Sequence, residues 1–290
     1  MLLEVTLQGA TLGGMYALVA MGLTLQYGVA RIMNLSYGEL LIAAAFAALS
    51  FYSGLALSPL LGLLIVPPLA FVLSYGLYRI LLQPLVRRAR TRDALEVDSI
   101  LATFGMLFVI QGIMLALFGG AYFSYSFLSF PLQIAGVTVA ANRLLALALA
   151  VVIGVGLYMA LTRTRVGTAV RAVAVDPVAA QLVAIDVRMA SALAFALGGA
   201  LVAAAGVLVS MFLTFNANLG VVFTLKALIV VIMGGVGNLL GALIAGLILG
   251  LVENYVAVFV DPGLTLAATY AIFLIILLLR PQGLLGRAGR

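Results

Sequence analysis

Apolar stretches about as long as a bilayer crossing recur along the whole chain, and this pattern limits the fold more than any other feature. A helix rises about 1.5 Å per residue, so roughly 20 apolar residues cross a hydrocarbon core of about 30 Å. Such stretches lie near Val5–Val29, Leu40–Leu57, Leu60–Leu82, Ile100–Phe118, Leu144–Leu161, Met189–Leu213, Leu219–Val260 and Leu264–Leu279. Of the 290 residues, 66% are hydrophobic and 8% charged, where a soluble domain has about 25% charged residues to meet water. No polar stretch is long enough to form a soluble domain. Residues 1–290 therefore read as one all-α domain, a polytopic bundle of transmembrane helices.

The run Leu219–Val260 is too long for one crossing, and Gly234, Gly235, Gly237 and Asn238 fall in its middle. Gly and Asn tolerate non-helical backbone, so the run predicts two shorter helices joined by a tight turn. A second break is expected at Asn34–Gly38. The total is about nine crossings, or eight if one half-helix is re-entrant. Asn34–Ala43 and Asn238–Ala245 each open an apolar helix from a polar or Gly-rich turn. An internal repeat of the transporter kind and a match by Gly/Ala composition both fit. The polar segment Gly119–Asn142 has room for a short hairpin.

Charge sets the expected orientation. The net charge is +6, and the arginines cluster at Arg79–Arg92, Arg163–Arg188 and Arg280–Arg290. Excess Lys and Arg mark cytoplasmic loops, which puts these segments inside, the N-terminus outside and the C-terminus in the cytoplasm. Residues Met1–Thr6 carry Glu4 and no Lys or Arg. They lack the positive region of a signal peptide, so the first run is expected to remain as a helix.

The chain has no Cys and no His. Disulfides, thiolate metal sites and the commonest general base are thereby excluded. Nothing resembles a nucleophile–base pair or a metal site, so an intramembrane enzyme or scaffold ranks last. A secondary transporter or channel for a small polar solute is the main alternative to a permease driven by separate ATPases; that class usually carries acidic or His relays in its spans. No Gly-x-x-x-x-Gly-Lys-Ser/Thr phosphate loop is present, and Lys226 is the only lysine. The chain is expected to bind no cofactor, metal or nucleic acid.

Asp176 followed by Pro177 is a helix-start signal, with Asp as N-cap and Pro in the first helical position. It predicts a short helix over Pro177–Ile185 with Val178, Leu182 and Ile185 near one face and Arg171 and Asp186 at the rim. Spacing alone leaves two roles open: docking into a groove on a partner and lying on the lipid surface. Among the polar residues near the spans, Glu39 either complements a helix N-terminus or lines a pathway. Glu253 is expected to pair with Asn254 or to reach the outer interface near Tyr255. Asn34, Gly38, Thr103, Gln111, Asn216 and Asn218 are pathway candidates, with interhelical hydrogen bonding as the other role. Gly9, Gly13, Gly14 and Gly22, Gly198, Gly199 and Gly206, and Gly241, Gly246 and Gly250 predict close helix packing.

Four segments carry a family resemblance. Gly28-Val-Ala-Arg-Ile-Met-Asn-Leu-Ser-Tyr-Gly-Glu-Leu40, the loop Thr162–Arg188, the stretch Lys226–Glu253 with Gly234-Gly-Val-Gly-Asn238 and Gly241-Ala-Leu-Ile-Ala-Gly246, and Arg280-Pro-Gln-Gly-Leu-Leu-Gly286 occur in one order. In that order they resemble the LivH-like permeases of bacterial branched-chain amino acid ABC importers. Two positions depart from the family pattern. Ala184-Ile185-Asp186 stands where the family often has Gly-Ile-Asn, and Tyr37 where it often has His. The resemblance implies an inner-membrane permease subunit, not an enzyme. It also implies a second related permease, two cytoplasmic ATPases that bind ATP and Mg, and an external binding protein that delivers the substrate. Branched-chain amino acids are the first expectation for the cargo, with urea, short amides and other amino acids behind. The Pro177–Ile185 helix becomes the element that couples the permease to an ATPase.

Overall fold

The computed structural model describes residues 1–88, 91–134 and 137–286. Helix α1 (Leu2–Ala30) ends where Arg31 takes left-handed dihedrals, φ 56°. Non-helical residues 32–36 lead into α2 (Tyr37–Leu55), and α3 (Pro59–Leu77) runs through a π turn, Tyr78–Leu82, into α4 (Gln83–Arg88). After α5 (Arg92–Phe118), a hairpin of β1 (Pro131–Ile134) and β2 (Val137–Ala140) pairs antiparallel, with Leu132 opposite Val139. Then come α6 (Ala141–Arg163), α7 (Arg165–Val175), α8 (Pro177–Leu182) and α9 (Val187–Ser210). The chain closes with α10 (Gly220–Gly234), α11 (Leu239–Phe259), a 3-10 turn at Pro262–Leu264 and α12 (Thr265–Leu279).

Among the described residues, eight helical stretches are long and apolar enough to cross a membrane, and Gly220–Gly234 is a ninth, shorter apolar helix. Both expected breaks are present. At the second, Gly235 and Gly237 have φ of 98° and 84°, a region that costs a side chain but not Gly. Asn238 then caps α11 by accepting from the Gly241 N–H at 3.1 Å. The C-terminal segment fills this break: Leu284 N–H donates to the Met233 carbonyl at 2.7 Å, and Asn238 Nδ2 to the Leu285 carbonyl at 2.7 Å. Two of the segments that carry the family resemblance thus meet in space.

Several boundaries differ from the expectation. Arg79, Arg87 and Arg88 lie on the continuous α3–α4 helix rather than in a loop, and Arg90 and the last four residues lie outside the described set. The helix outlasts its apolar run because backbone hydrogen bonds need no apolar side chains. For the same reason α5 begins at Arg92 and not near Ile100. The stretch Arg165–Val175, expected as loop, is helical, capped by Thr164 Oγ1 accepting from the Gly167 N–H at 3.0 Å.

Helices α1, α9 and α2 form the centre, and their middle residues are buried on nearly all sides. Helices α3, α5, α6 and α12 surround them and turn Leu64, Val72, Leu101, Val152 and Leu278 outward, the arrangement expected when lipid is the solvent. The α1–α11 seam is closed by glycine: a Cβ at Gly250 would collide with the backbone N and Cα of Gly13. Backbones come this close in lipid only where side chains are minimal. Gly250→Val is therefore expected to lower stability by about 1–3 kcal/mol, the usual cost of overpacking. Gly112→Val, which faces open space, should leave it unchanged, and denaturation of both purified variants in mixed micelles checks this.

Candidate functional site: a polar seam at the half-helix starts

The residues between α1 and α2 are non-helical, so their backbone groups need partners inside the bundle. Side chains from two helices, and Asn34 of the segment itself, supply them. Thr103 of α5 donates to the Met33 carbonyl at 3.0 Å and accepts from the Leu35 N–H at 3.1 Å. Ser99, one turn earlier, accepts from the Met33 N–H at 3.3 Å. Thr224 of α10 donates to the Leu35 carbonyl at 3.2 Å and accepts from the Gly38 N–H at 2.8 Å. Asn34, fully buried, accepts from the Ser36 N–H and hydroxyl at 3.0 and 2.7 Å and donates to Gln26 at 3.3 Å. Gln26 in turn donates to the Phe195 carbonyl of α9 at 2.8 Å.

This network delivers Glu39 to the start of α10. Gly38 has no room for a side chain, because its Cβ would strike the Gly220 carbonyl. Glu39 is fully buried, and neither of its carboxylate oxygens has a hydrogen-bond partner. Its carboxylate lies against Gly220, the first residue of α10, where any Cβ would meet it. A helix start carries partial positive charge, so the contact is favourable in sign. Glu39 therefore stands at two helix starts, in the first turn of its own α2 and against the first residue of α10. Asn216 and Asn218 immediately precede α10. Asn216 accepts from the Asn218 N–H at 3.1 Å, and Gln111 of α5 donates to Asn218 Oδ1 at 3.1 Å. All seven pathway candidates therefore lie along one seam between α2, α5 and the α10 start, and several make the interhelical bonds that were their other reading.

A second polar centre crosses the core nearby. Lys226 of α10 pairs with Glu253 of α11 at 2.5 Å, with side chains 10% and 11% exposed. Tyr16 of α1 joins them: Lys226 Nζ donates to its hydroxyl at 2.8 Å, and that hydroxyl donates to Glu253 Oε2 at 2.8 Å. Among the described residues this is the only salt bridge. The expected partners of Glu253 are engaged elsewhere: Asn254 donates to the Val5 carbonyl at 2.6 Å, and the Tyr255 hydroxyl meets Thr6 Oγ1 at 2.8 Å. Successive helical residues point about 100° apart, so Glu253 reaches Lys226 and Tyr16 while Asn254 reaches Val5, nearer the start of α1. The signal for this pair was available, since the single lysine sits in an apolar run that also holds an isolated glutamate.

Near the α1 end of the α1–α2 break, where Arg31 Nη2 reaches the Ala174 carbonyl at 3.5 Å, α8 starts as expected. Asp176 Oδ1 accepts from the Val178 and Ala179 N–H groups at 2.9 and 3.1 Å. The helix ends at Leu182 rather than Ile185, because Ala184 takes left-handed dihedrals, φ 61°. Val178 is 66% and Leu182 84% exposed, whereas Ile185 turns inward and packs against the core. Asp186 caps α9, accepting from the Arg188 and Met189 N–H groups at 2.9 and 3.1 Å. Arg171 is exposed on α7. The two departures from the family loop become intelligible: Ala184 occupies a backbone conformation suited to Gly, and Asp186 does the N-capping that Asn does equally well.

The family described as the permease component of a branched-chain amino acid transport system matches residues 5–279. The chain belongs to this family. Within it, the chain is 29% identical to the high-affinity branched-chain amino acid permease BraD of Pseudomonas aeruginosa, over 98% of this chain and 96% of the relative. It is 27% identical to LivH of Escherichia coli K12 over the same shares. A probable LivH of Methanocaldococcus jannaschii is 26% identical over 87% of this chain and 81% of its own length. No solved structure gives a significant match. The chain is a permease subunit of the ABC-importer type, a multi-pass helical membrane protein, and its family is one of transport rather than of enzymes.

Proposed function

We propose that this permease carries branched-chain or closely related amino acids across the inner membrane, after an external binding protein delivers them. The family match along nearly the whole chain carries the reading. In it, the chain pairs with a second, related permease. Two cytoplasmic ATPases, which bind ATP and Mg, drive the pair, consistent with the absence of a phosphate loop from this sequence. Helix α8, with Asp176, Pro177, Val178 and Leu182, is the coupling element. The arginine clusters face the cytoplasm and the N-terminus lies outside.

The pathway follows the seam of Asn34, Gly38, Glu39, Thr103, Gln111, Asn216 and Asn218. Two features support this. Broken helices that begin within a bundle place helix-end charge where a polar cargo must pass, and the buried carboxylate of Glu39 has no hydrogen-bond partner. A buried group in that condition calls for a functional explanation. Glu39→Gln keeps size and removes charge. It is expected to lower leucine, isoleucine and valine uptake at least about tenfold, a loss of roughly 1.4 kcal/mol, while the purified protein stays folded and loses no more than the roughly 1 kcal/mol of a helix-end contact. Uptake in cells expressing the complete transporter checks both cargo and residue. Unchanged uptake in the variant refutes the role of Glu39, and no uptake of these amino acids by the unaltered transporter refutes the cargo.

A further inference from the structure

The cytoplasmic extension of the third span holds a cationic cleft that the transport reading does not use. Arg79, Gln83, Pro84, Arg87 and Arg88 line a space of about 330 Å³. Arg79 is held in place: its Nε and Nη2 donate to the Tyr75 hydroxyl at 3.1 and 2.8 Å, and its guanidinium carbon lies 5.4 Å from the centre of the Tyr75 ring. A guanidinium has five N–H donors, so most of those on Arg79 stay free. Among the described residues none of these arginines is in a salt bridge. Asp186, the acid whose charge Arg79 feels, spends Oδ1 on the α9 cap.

The surroundings say what meets this charge. The helix arrives at the cleft straight from the span, and Leu69, Val72, Leu73, Ile80 and Leu81 are all exposed along it, Ile80 at 81%. Apolar side chains open to the surroundings thus run directly up to a cluster of forked cations. The π turn Tyr78–Leu82 carries Arg79, Ile80 and Leu81 themselves, and its Tyr78 and Leu82 are buried against Ile32 and Phe195. That burial pins the turn to the bundle, and the cleft with it. An apolar track ending in guanidinium groups matches acyl chains that end in a phosphodiester, and Arg is suited to planar, bidentate binding of phosphate oxygens.

We propose that Arg79, Arg87 and Arg88, with Gln83, bind the headgroup of an anionic phospholipid at the cytoplasmic face of this permease. Near an anionic membrane surface each Arg contributes about a fivefold gain in binding. The test uses the purified permease in nanodiscs of phosphatidylcholine doped with phosphatidylglycerol, with lipids retained through detergent extraction quantified by mass spectrometry. The unaltered protein is expected to retain phosphatidylglycerol over phosphatidylcholine. Arg79→Gln should lower that preference about fivefold, and the triple Arg79→Gln/Arg87→Gln/Arg88→Gln variant should abolish it. Thermal unfolding in pure phosphatidylcholine should be the same for all three, which separates lost binding from lost folding. Equal retention of both lipids by the unaltered protein overturns the proposal, as does a preference that survives in the triple variant. If millimolar inorganic phosphate removes the preference, the cleft is a site for free phosphate and the lipid assignment fails. Loss of ATPase recovery in the triple variant, with lipid preference intact, assigns the cleft to a protein partner instead.

Discussion

Lys226→Met is expected to be among the most damaging single substitutions in this permease, costing about 3–5 kcal/mol of stability. The reason is the charge left behind. Glu253 lies in the core with its side chain 11% exposed, and its partners are Lys226 and the Tyr16 hydroxyl. Removing the ammonium leaves a carboxylate that the bundle cannot solvate, and such groups are expensive at membrane depth. Replacing both charges is a different matter, since an apolar pair of similar volume is often neutral or stabilising. Lys226→Met/Glu253→Leu should therefore recover most of the loss from either single change. Denaturation of the two single variants and the double variant in mixed micelles measures the coupling. If the loss in the double variant equals the sum of the two single losses, the residues do not act as a pair.

The pair also ties α10 to its neighbours. Helix α10 is bound to α11 and α1 by Lys226, while its first residue lies against Glu39 of α2. Its other end is fixed by the C-terminal segment, through the bonds at Met233 and Gly234. α1 and α11 pack backbone to backbone at Gly13 and Gly250. In this arrangement α10 touches both the seam and the α1–α11 pair. A double variant that restores stability but not uptake would show that the ion pair, beyond holding the fold, sets the position of α10 during transport.

Much of this was legible in the sequence, and what was missed has a common cause. Apolar run length located the spans, although the α3–α4 and α5 helices extend further into the charged stretch between them, and Gly234–Asn238 broke a helix as the backbone freedom of its glycines requires. The first break falls at Arg31–Ser36, so that Gly38 already lies in α2. Asp176–Pro177 marked a real helix start. Hidden from the sequence were facts of three-dimensional pairing. Glu39 was recognisable as a helix-end carboxylate, but the helix it meets lies far along the chain at Gly220. Lys226 and Glu253 are separated by the break that lets α11 fold back along α10, so their pairing depends on the turn between them. Ile185 fitted the apolar face by spacing, yet the left-handed Ala184 ends that face one residue earlier and turns Ile185 into the core. Helical periodicity extrapolates only as far as the helix continues.

The same geometry makes Leu182 the sharpest probe of coupling. In the proposed transporter, a nucleotide-driven closure has to push on the bundle through something stiff. Helix α8 is short, but it is capped by Asp176 and joined by the tight turn Val183–Asp186 to α9, whose own cap is Asp186. α9 runs through the centre of the molecule, so a push at α8 reaches the core with little slack. Around the tip, Val175, Val178, Leu182 and Val183 are all exposed, Leu182 at 84%. Burying a side chain of this kind against a partner is worth roughly 1.5–3 kcal/mol. Leu182→Asp removes that gain and sets a charge into an apolar contact, so ATPase association should weaken by about 30-fold or more, the equivalent of roughly 2 kcal/mol. Transport should be abolished, while the bundle stays folded because Leu182 touches little of it. Arg171→Gln, at the rim, should weaken association far less, as exposed charges contribute about 0–1 kcal/mol. Recovery of the ATPase subunits on the purified variants, alongside uptake, measures both effects. Full recovery and normal ATP-driven uptake with Leu182→Asp would show that the force enters elsewhere.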